Sequence, residues 1–392
     1  MPRPMLDDYR WLVSSQGEHM LAAAAADERP LIARTKALRK ELSEARAHLV
    51  LEQVELRQRA KSKFSRAERM FFTRRSLEQA TDEQIAKYKA ERFAGSSELA
   101  DLCCGIGGDL CELAGHGRCV GIERDAIVAL LAEANCRAAG LTDVRIEQQD
   151  VRELLDSLGT CRWHADPDRR HSKGRTSRIE FSEPGAEVWF ALAARSASGA
   201  IKLAPAASCP PELADAAELE WIGSRRECRQ QVVWLGQLAQ NLGGRTATVI
   251  DRDGTPHSFC GRAGAVCGIA SPASYVYDVE PTVSAARLAA ALAESAGLSA
   301  LSEATSYFTS DQLVDSPLLN AFEVEEALAM DLKRVKAALR RRSVGRLEIK
   351  VRGIDLHPEK LRRALRLKGD QSAVLLVSPV GRSVRALLAR RC

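Results

Sequence analysis

Residues 98–109 read Glu-Leu-Ala-Asp101-Leu-Cys103-Cys104-Gly105-Ile-Gly107-Gly108-Asp109. A short apolar run ends on Asp101, and a turn rich in glycine leads into residues that form helix. Glycines at such a turn let the main chain take positive φ and approach a ligand closely. The helix N-terminus beyond it offers free N–H groups and partial positive charge to a carboxylate or phosphate. Glu123 ends the next apolar run and is placed to bind ribose hydroxyls; Asp150 and Asp166 end the two after it. Four carboxylates at four successive strand ends are expected to line one rim, because ligands of doubly wound sheets lie across the carboxyl ends of the strands. A dinucleotide fingerprint would need its third glycine where Leu110 stands, and Asp101 would repel a pyrophosphate. The set suits a cofactor with a cationic amino group and a sulfonium. No nucleotide-hydrolysing loop, H-E-x-x-H or G-x-S-x-G pattern occurs. Cys103, Cys104 and Cys111 lack a His or Cys partner at ligand spacing, so they are expected to be small fillers, with no metal site.

The elements that must position these residues follow from the apolar pattern. Between about 96 and 252, short apolar runs (ELADLCC, RCVGIER, DVRIEQQD, CRWHAD, GAIKLAP, ELEWIG, RTATVID) alternate with segments read as helical, among them AIVALLAEANCRAAG and RQQVVWLGQLAQ. Such alternation predicts an α/β domain, a Rossmann-like, doubly wound, mainly parallel sheet. Residues 1–95 read as an all-helical N-terminal domain, with Leu38, Leu42, Ala45 and Leu49 as one stripe. Within it, Phe64, Phe71 and Phe72 are expected to be the buried face that docks the helices, while the interleaved lysines and arginines stay open to phosphates. A looser connecting segment is expected over 253–330. Residues 331–392 read as a small α+β module in the order α-β-α-β-β.

The chain has 392 residues, 57 Lys+Arg and 52 Asp+Glu, for a net charge of +5. That mean conceals segregation: residues 333–392 hold 18 basic against 4 acidic residues (+14) and residues 34–75 hold 13 against 5 (+8), so the remainder carries −17. Charge divided in this way points to an anionic partner. No apolar run approaches the roughly 18 residues needed to span a bilayer. Asp7, Asp8 and Glu18 precede the only modest apolar stretch near the start, against a secretory signal. Eleven cysteines without C-x-x-C pairs argue for reduced thiols in the cytoplasm.

DLCCGIGGD, with Glu123, Asp150 and Asp166-Pro167 at successive strand ends, resembles the class I S-adenosylmethionine-dependent methyltransferases. MFFTRRSLEQAT, DPDRR, IKLAP, YVYDVEP, YFTSD and VGRLEIKVRG, in that order, extend the match over nearly the whole chain to bacterial methyltransferases with a C-terminal THUMP-like domain. Trimethylguanosine synthases resemble it over the Rossmann part only. The resemblance implies S-adenosylmethionine as cofactor. Asp101, the Gly105–Gly108 backbone with Gly107, and the flanking Cys103 and Asp109 would hold its methionine end; Glu123 would take the ribose and Asp150 the adenine amine. Cys103 stands where most methyltransferases have the loop's first glycine. The catalytic position is Asp166-Pro167, with Asp168 and Arg169 where amine methyltransferases of nucleic acids carry a proline and an aromatic. Asp166 could accept a hydrogen bond from a base amine and orient its lone pair. Arg169 and Arg170 would clamp a phosphate, or Asp168 would form a loop salt bridge with an arginine. Lys202 is expected to be a rim charge and His164 a structural histidine. The expected activity is methylation of RNA, with RNA as partner and neither membrane nor metal. A non-catalytic RNA- or cofactor-binding protein and a small-molecule or protein methyltransferase stand as alternatives.

Overall fold

The computed structural model describes residues 4–156, 158, 161–168, 182–195, 198–303 and 305–392, and the backbone of 170–171 and 174–175. Two compact units emerge: residues 1–218 with 231–242, and residues 219–230 with 243–392.

The first unit opens with helices, including Ser15–Ala26, Glu44–Ala60, Arg74–Gln79 and Glu83–Ala90. The stripe from Leu38 to Leu49 belongs to two helices. One ends at Leu38, and Ser43, whose hydroxyl accepts from the Arg46 N–H, caps the next. Phe64, Phe71 and Phe72 are buried, as their apolar character dictates, in a core with Leu49, Val50 and Leu56. The cations between them are mostly committed to the protein. Arg74 pairs with Glu52 and Glu55, Lys61 with Glu68, and Arg66 donates to the Ala139 carbonyl.

The sheet of this unit contains β1 (Glu98–Leu102), β2 (Arg118–Ile122), β3 (Arg145–Glu147), β4 (Arg162–Ala165) and β5 (Ser198–Leu203). Their order is β5-β4-β1-β2-β3, all parallel. The chain reverses direction of winding between β1 and β4, which creates the crevice in which doubly wound folds bind ligands. Close packing of β4 on β5 depends on a glycine, since a Cβ at Gly199 would fall 2.2 Å from the Trp163 ring.

The segment RQQVVWLG, expected to be helical, is instead part of a strand, Glu227–Gly236, whose residues 231–236 pair antiparallel with β5. Two causes are visible. Val232, Val233 and Trp234 favour a pleated surface. Arg225 and Arg226 both take positive φ (52° and 63°), the requirement of a tight type I′ hairpin usually met by Asn-Gly.

In the second unit, Leu219–Ser224 pairs parallel with Arg245–Ile250, which pairs antiparallel with Pro256–Gly261. A seven-stranded sheet follows, and residues 253–330, read as a connector, supply four of its strands, ending with Leu319–Ala329. The last sixty residues take the α-β-α-β-β order, with helices Leu332–Arg341 and Pro358–Leu365 and strands Val344–Val351, Gln371–Val380 and Ser383–Arg391. Leu375 and Val377 pack with the helices' Val335, Leu339, Leu361 and Leu365, while Val374 and Leu376 enter a core with Phe322 and Tyr307. Burial on both faces explains why AVLLV is a continuous apolar run. Among the described residues, no helix is long and apolar enough to cross a membrane.

Candidate active site

A cleft opens at the carboxyl ends of β1, β2 and β4. Its walls include the turn 103–109, Glu123, Asp150, Asp166–Asp168 and, from the helical N-terminal segment, Thr73, Arg75, Gln79 and Thr81. The glycine turn shapes its floor. Gly105 has φ +58°, and nothing lies within 4 Å of where its Cβ would be, so the backbone there is bare to a ligand. Cys103 also adopts positive φ (59°), a conformation costly for a side-chain-bearing residue. Burial pushes its thiol pKa well above the usual value, with nearby Glu123 and Asp166 adding to the shift, so the sulfur stays protonated.

Glu123 is fixed by the same turn: its carboxylate accepts from the Gly105 N–H at 3.1 Å and the Asp125 N–H at 2.9 Å. Burial raises its pKa, and those two donors act in the opposite direction. Asp150 caps a short turn through the Arg152 N–H and is gripped by the Arg152 guanidinium at 3.0 and 2.9 Å, which lowers its pKa. Both carboxylates keep lone pairs beyond these donors, so each can still accept from a hydroxyl or an amine. Glu123, Asp150 and Asp166 therefore meet at one cleft.

Asp101 does not reach the rim. It is 1% exposed, lies in register with His164 of β4, and accepts from His164 Nδ1 at 2.7 Å. Its other oxygen is buried without a hydrogen-bond partner among the described residues. Burial raises its pKa, with His164 pulling the other way. His164 is the buried structural histidine the sequence suggests. Gly107, at φ +83°, turns its α-carbon towards Cys136 and Ala132 and is also absent from the cleft wall, whereas Gly108 and Asp109 line it.

Lys202 is not a rim charge. It is 4% exposed and donates to Asp166 Oδ2 at 2.6 Å and to the Gln79 carbonyl at 3.2 Å. Parallel pairing of β4 with β5 places the two side chains together. Asp168 forms a salt bridge with Arg75, and Gln79 Nε2 donates to its Oδ1 at 2.8 Å. The arginine that meets Asp168 thus comes from helix Arg74–Gln79. Arg169 and the Arg170 side chain lie outside the described residues. Sequence reasoning left Arg75 open to phosphates and missed its pairing with Asp168; it missed Gln79, Thr81 and Lys89 as well. Gln79 and Thr81 sit inside MFFTRRSLEQAT, a motif of the resemblance that assigned them no role, and nothing local marked Lys89.

Seven carboxylates against two arginines line the described cleft, an environment that favours a cationic ligand and disfavours a pyrophosphate. The bare backbone at Gly105, an acceptor at Glu123 and a second acceptor at Asp150 fit a ligand with an amino-acid end, a ribose and an adenine.

Residues 319–391 match the THUMP domain-like family, and residues 5–60 match a domain family of unknown function. Two strains of Mycobacterium tuberculosis contain an uncharacterized S-adenosylmethionine-dependent methyltransferase that is 28% identical over 352 residues, 86% of this chain and 94% of the relative. The crystal structure of a Porphyromonas gingivalis W83 protein, provisionally described as a methyltransferase, superposes with a TM-score of 0.82 at 19% identity, covering 97% of this chain and 99% of that one. These relatives support the class of S-adenosylmethionine-dependent methyltransferase. Within it, this chain is a homologue of the mycobacterial protein and carries a THUMP-like C-terminal region.

Proposed function

We propose that the protein transfers a methyl group to RNA, at an exocyclic amine of a base held by Asp166. One observation carries the proposal: Asp166, at the switch-point end of β4, gives one oxygen to Lys202 and has no hydrogen-bond partner for the other among the described residues. That oxygen is an acceptor, matched to an N–H donor. A bound S-adenosylmethionine supplies an electrophilic methyl group. The Gly105 backbone, Glu123 and Asp150 would hold it, while Asp109 supports the loop. The protein's task is then to hold the amine in line, since placement contributes several kcal/mol towards such a reaction. Pro167 continues the main chain from Asp166 along the cleft wall.

RNA as the substrate rests on charge and on the THUMP-like region, since THUMP domains bind RNA. Lys333, Arg334 and Arg340 on one helix and Lys360 and Arg363 on the next are exposed and make no ion pair among the described residues. Cations left unpaired in this way are free to neutralise phosphates. Arg169 and Arg170 would add phosphate contacts near the cleft, and a cytoplasmic location would give the protein its substrate.

The test is incubation with labelled S-adenosylmethionine and total RNA from cells lacking the gene, followed by nucleoside mass spectrometry. A methylated nucleoside that forms with the wild type and not with D166A is the expected result. Label confined to protein or small molecules, or the same nucleoside formed by D166A, would refute the proposal.

A further inference from the structure

The turn 103–108 is anchored at both ends by one buried side chain. Lys89, on helix Glu83–Ala90, is 1% exposed and places its ammonium 2.6 Å from Asp109 Oδ1 and 2.9 Å from His164 Nε2. Asp109 is the residue at which the turn ends. Its second oxygen accepts from the Thr81 hydroxyl at 2.6 Å. On the other side, His164 Nδ1 contacts Asp101, two residues before the turn, at 2.7 Å. The chain Thr81–Asp109–Lys89–His164–Asp101 therefore runs from the cleft wall, behind the glycine turn, to the end of β1.

An ammonium can only donate hydrogen bonds. Lys89 therefore requires His164 Nε2 to be an acceptor, which puts the ring proton on Nδ1, directed at Asp101. Burial alone lowers the Lys89 pKa, and Asp109 opposes that. Burial would also raise the Asp109 pKa, but Lys89, His164 and Lys202 together outweigh it and hold the carboxyl well below its usual range. The other charged groups that act on this cluster are Lys202 and Asp166.

A second set of contacts fastens the same turn to the same segment. Asn135 donates to the Ile106 carbonyl at 2.9 Å and to the Phe71 carbonyl at 3.1 Å, and accepts from the Phe71 N–H at 2.7 Å. The Ile106 side chain is buried in the core of the N-terminal helices.

We propose that Lys89 is a positioning residue for the cofactor: its single ammonium clips the glycine turn shut from behind, holding Asp109 directly and Asp101 through His164. The inference rests on S-adenosylmethionine being held by this turn. It makes the helical N-terminal segment part of the cofactor site, although Lys89 touches no ligand. A buried ammonium shared between both ends of one loop fixes the distance between them, and bound-state geometry prepaid in this way appears as affinity.

Two measurements on the full chain test it. The first is calorimetric titration with S-adenosylhomocysteine at 10 °C, with folding of each protein verified by circular dichroism. K89M is expected to lose at least tenfold in affinity; a folded K89M that binds within twofold of wild type overturns the clip. The second is 15N NMR of the His164 ring in the wild type, which needs neither variant nor ligand. The Nδ1–H tautomer is expected, and an Nε2–H tautomer overturns the clip even if K89M fails to fold. A wild type that binds no S-adenosylhomocysteine while its His164 carries the Nδ1 proton refutes the cofactor assignment and leaves the Lys89–His164–Asp101 connection standing.

Discussion

Replacing Asp166 by Asn should damage stability as well as methyl transfer, and adding K202M should repair the stability alone. The Lys202 ammonium lies 2.6 Å from the Asp166 carboxylate, with its side chain 5% exposed against 23% for Asp166. At an effective dielectric constant of about 20, two unit charges at that distance attract by about 6 kcal/mol, and part of this offsets the desolvation of Lys202. D166N leaves the ammonium buried without its counter-charge, beside neutral acceptors such as the Gln79 carbonyl at 3.2 Å. Breaking one side of a buried pair typically costs about 3–5 kcal/mol, and the partial exposure of Asp166 argues for about 3. In K202M an unbranched apolar chain fills the same space, while Asp166 keeps its access to water through the cleft, so the loss should be about 1 kcal/mol. The double variant removes the orphaned charge and should also lie about 1 kcal/mol below wild type, rather than the roughly 4 that independent effects would give.

Urea unfolding followed by tryptophan fluorescence reads this directly, because Trp11, Trp163, Trp189 and Trp234 belong to the first unit and only Trp221 to the second. Methylation of RNA from cells lacking the gene should be lost in D166N and stay lost in the double variant. K202M should lower kcat with little change in KM for RNA. A D166N protein within 1 kcal/mol of wild type, or a double variant no more stable than D166N, would refute the ion-pair reasoning.

Three further expectations concern other parts of the molecule. Burial raises the Glu123 pKa, so affinity for S-adenosylhomocysteine should decline on acidification sooner than an ordinary carboxylate would dictate, and E123Q should flatten the dependence. Stability should respond in the opposite sense: between the unfolded and the higher folded pKa the native state binds more protons, so the Glu123 contribution falls as pH rises through that window, as wild-type and E123Q unfolding at several pH values would measure. N135L orphans the buried Phe71 N–H and two carbonyls at once, which should cost about 2–4 kcal/mol in urea unfolding. Reversing Lys333, Arg334 and Arg340 to Glu should weaken RNA binding and make the log–log salt slope shallower by about 0.7 for each phosphate contact removed, with an unchanged slope in fluorescence-anisotropy titrations counting against a phosphate-binding role.

The sequence carries the sheet and the cleft in its apolar runs and strand-end carboxylates, because hydrophobic period and position along a strand are local properties. β1–β5, the glycine turn and the final α-β-α-β-β order all have such local signals. What local pattern could not supply is pairing between distant side chains. Lys202 looks like any lysine after a strand until β5 lies beside β4, and Lys89 sits on a helix whose buried Ile85, Ala86 and Ala90 give no hint that Asp109 and His164 meet its ammonium. The Glu227–Gly236 strand was hidden for another reason. Its turn uses Arg225-Arg226 where the usual signal is Asn-Gly, and its apolar residues, Val232 to Leu235, form a run too short to separate strand from helix by period.

The departure of DPDRR from the aromatic-bearing pattern has a physical counterpart in the N-terminal helix. Where the resembling amine methyltransferases of nucleic acids carry the motif's second proline, Asp168 meets Arg75 and Gln79. Arg169, at the aromatic's position, lies outside the described residues, and no aromatic side chain lines the cleft among the described residues. Asp166, two residues earlier, meets the same helix through Lys202 and the Gln79 carbonyl. Both loop carboxylates are thus tied to Arg74–Gln79, a helix capped by the Thr73 hydroxyl accepting from the Ser76 N–H at 3.0 Å. An incoming base would face the guanidinium plane of Arg75 and the amide of Gln79, groups able to stack or hydrogen-bond in place of the absent ring. On this view the substitution marks a substrate wall supplied by the helical segment, the same segment that supplies Lys89 behind the glycine turn. That wall is itself held in place, since Arg75 and Gln79 both bind Asp168.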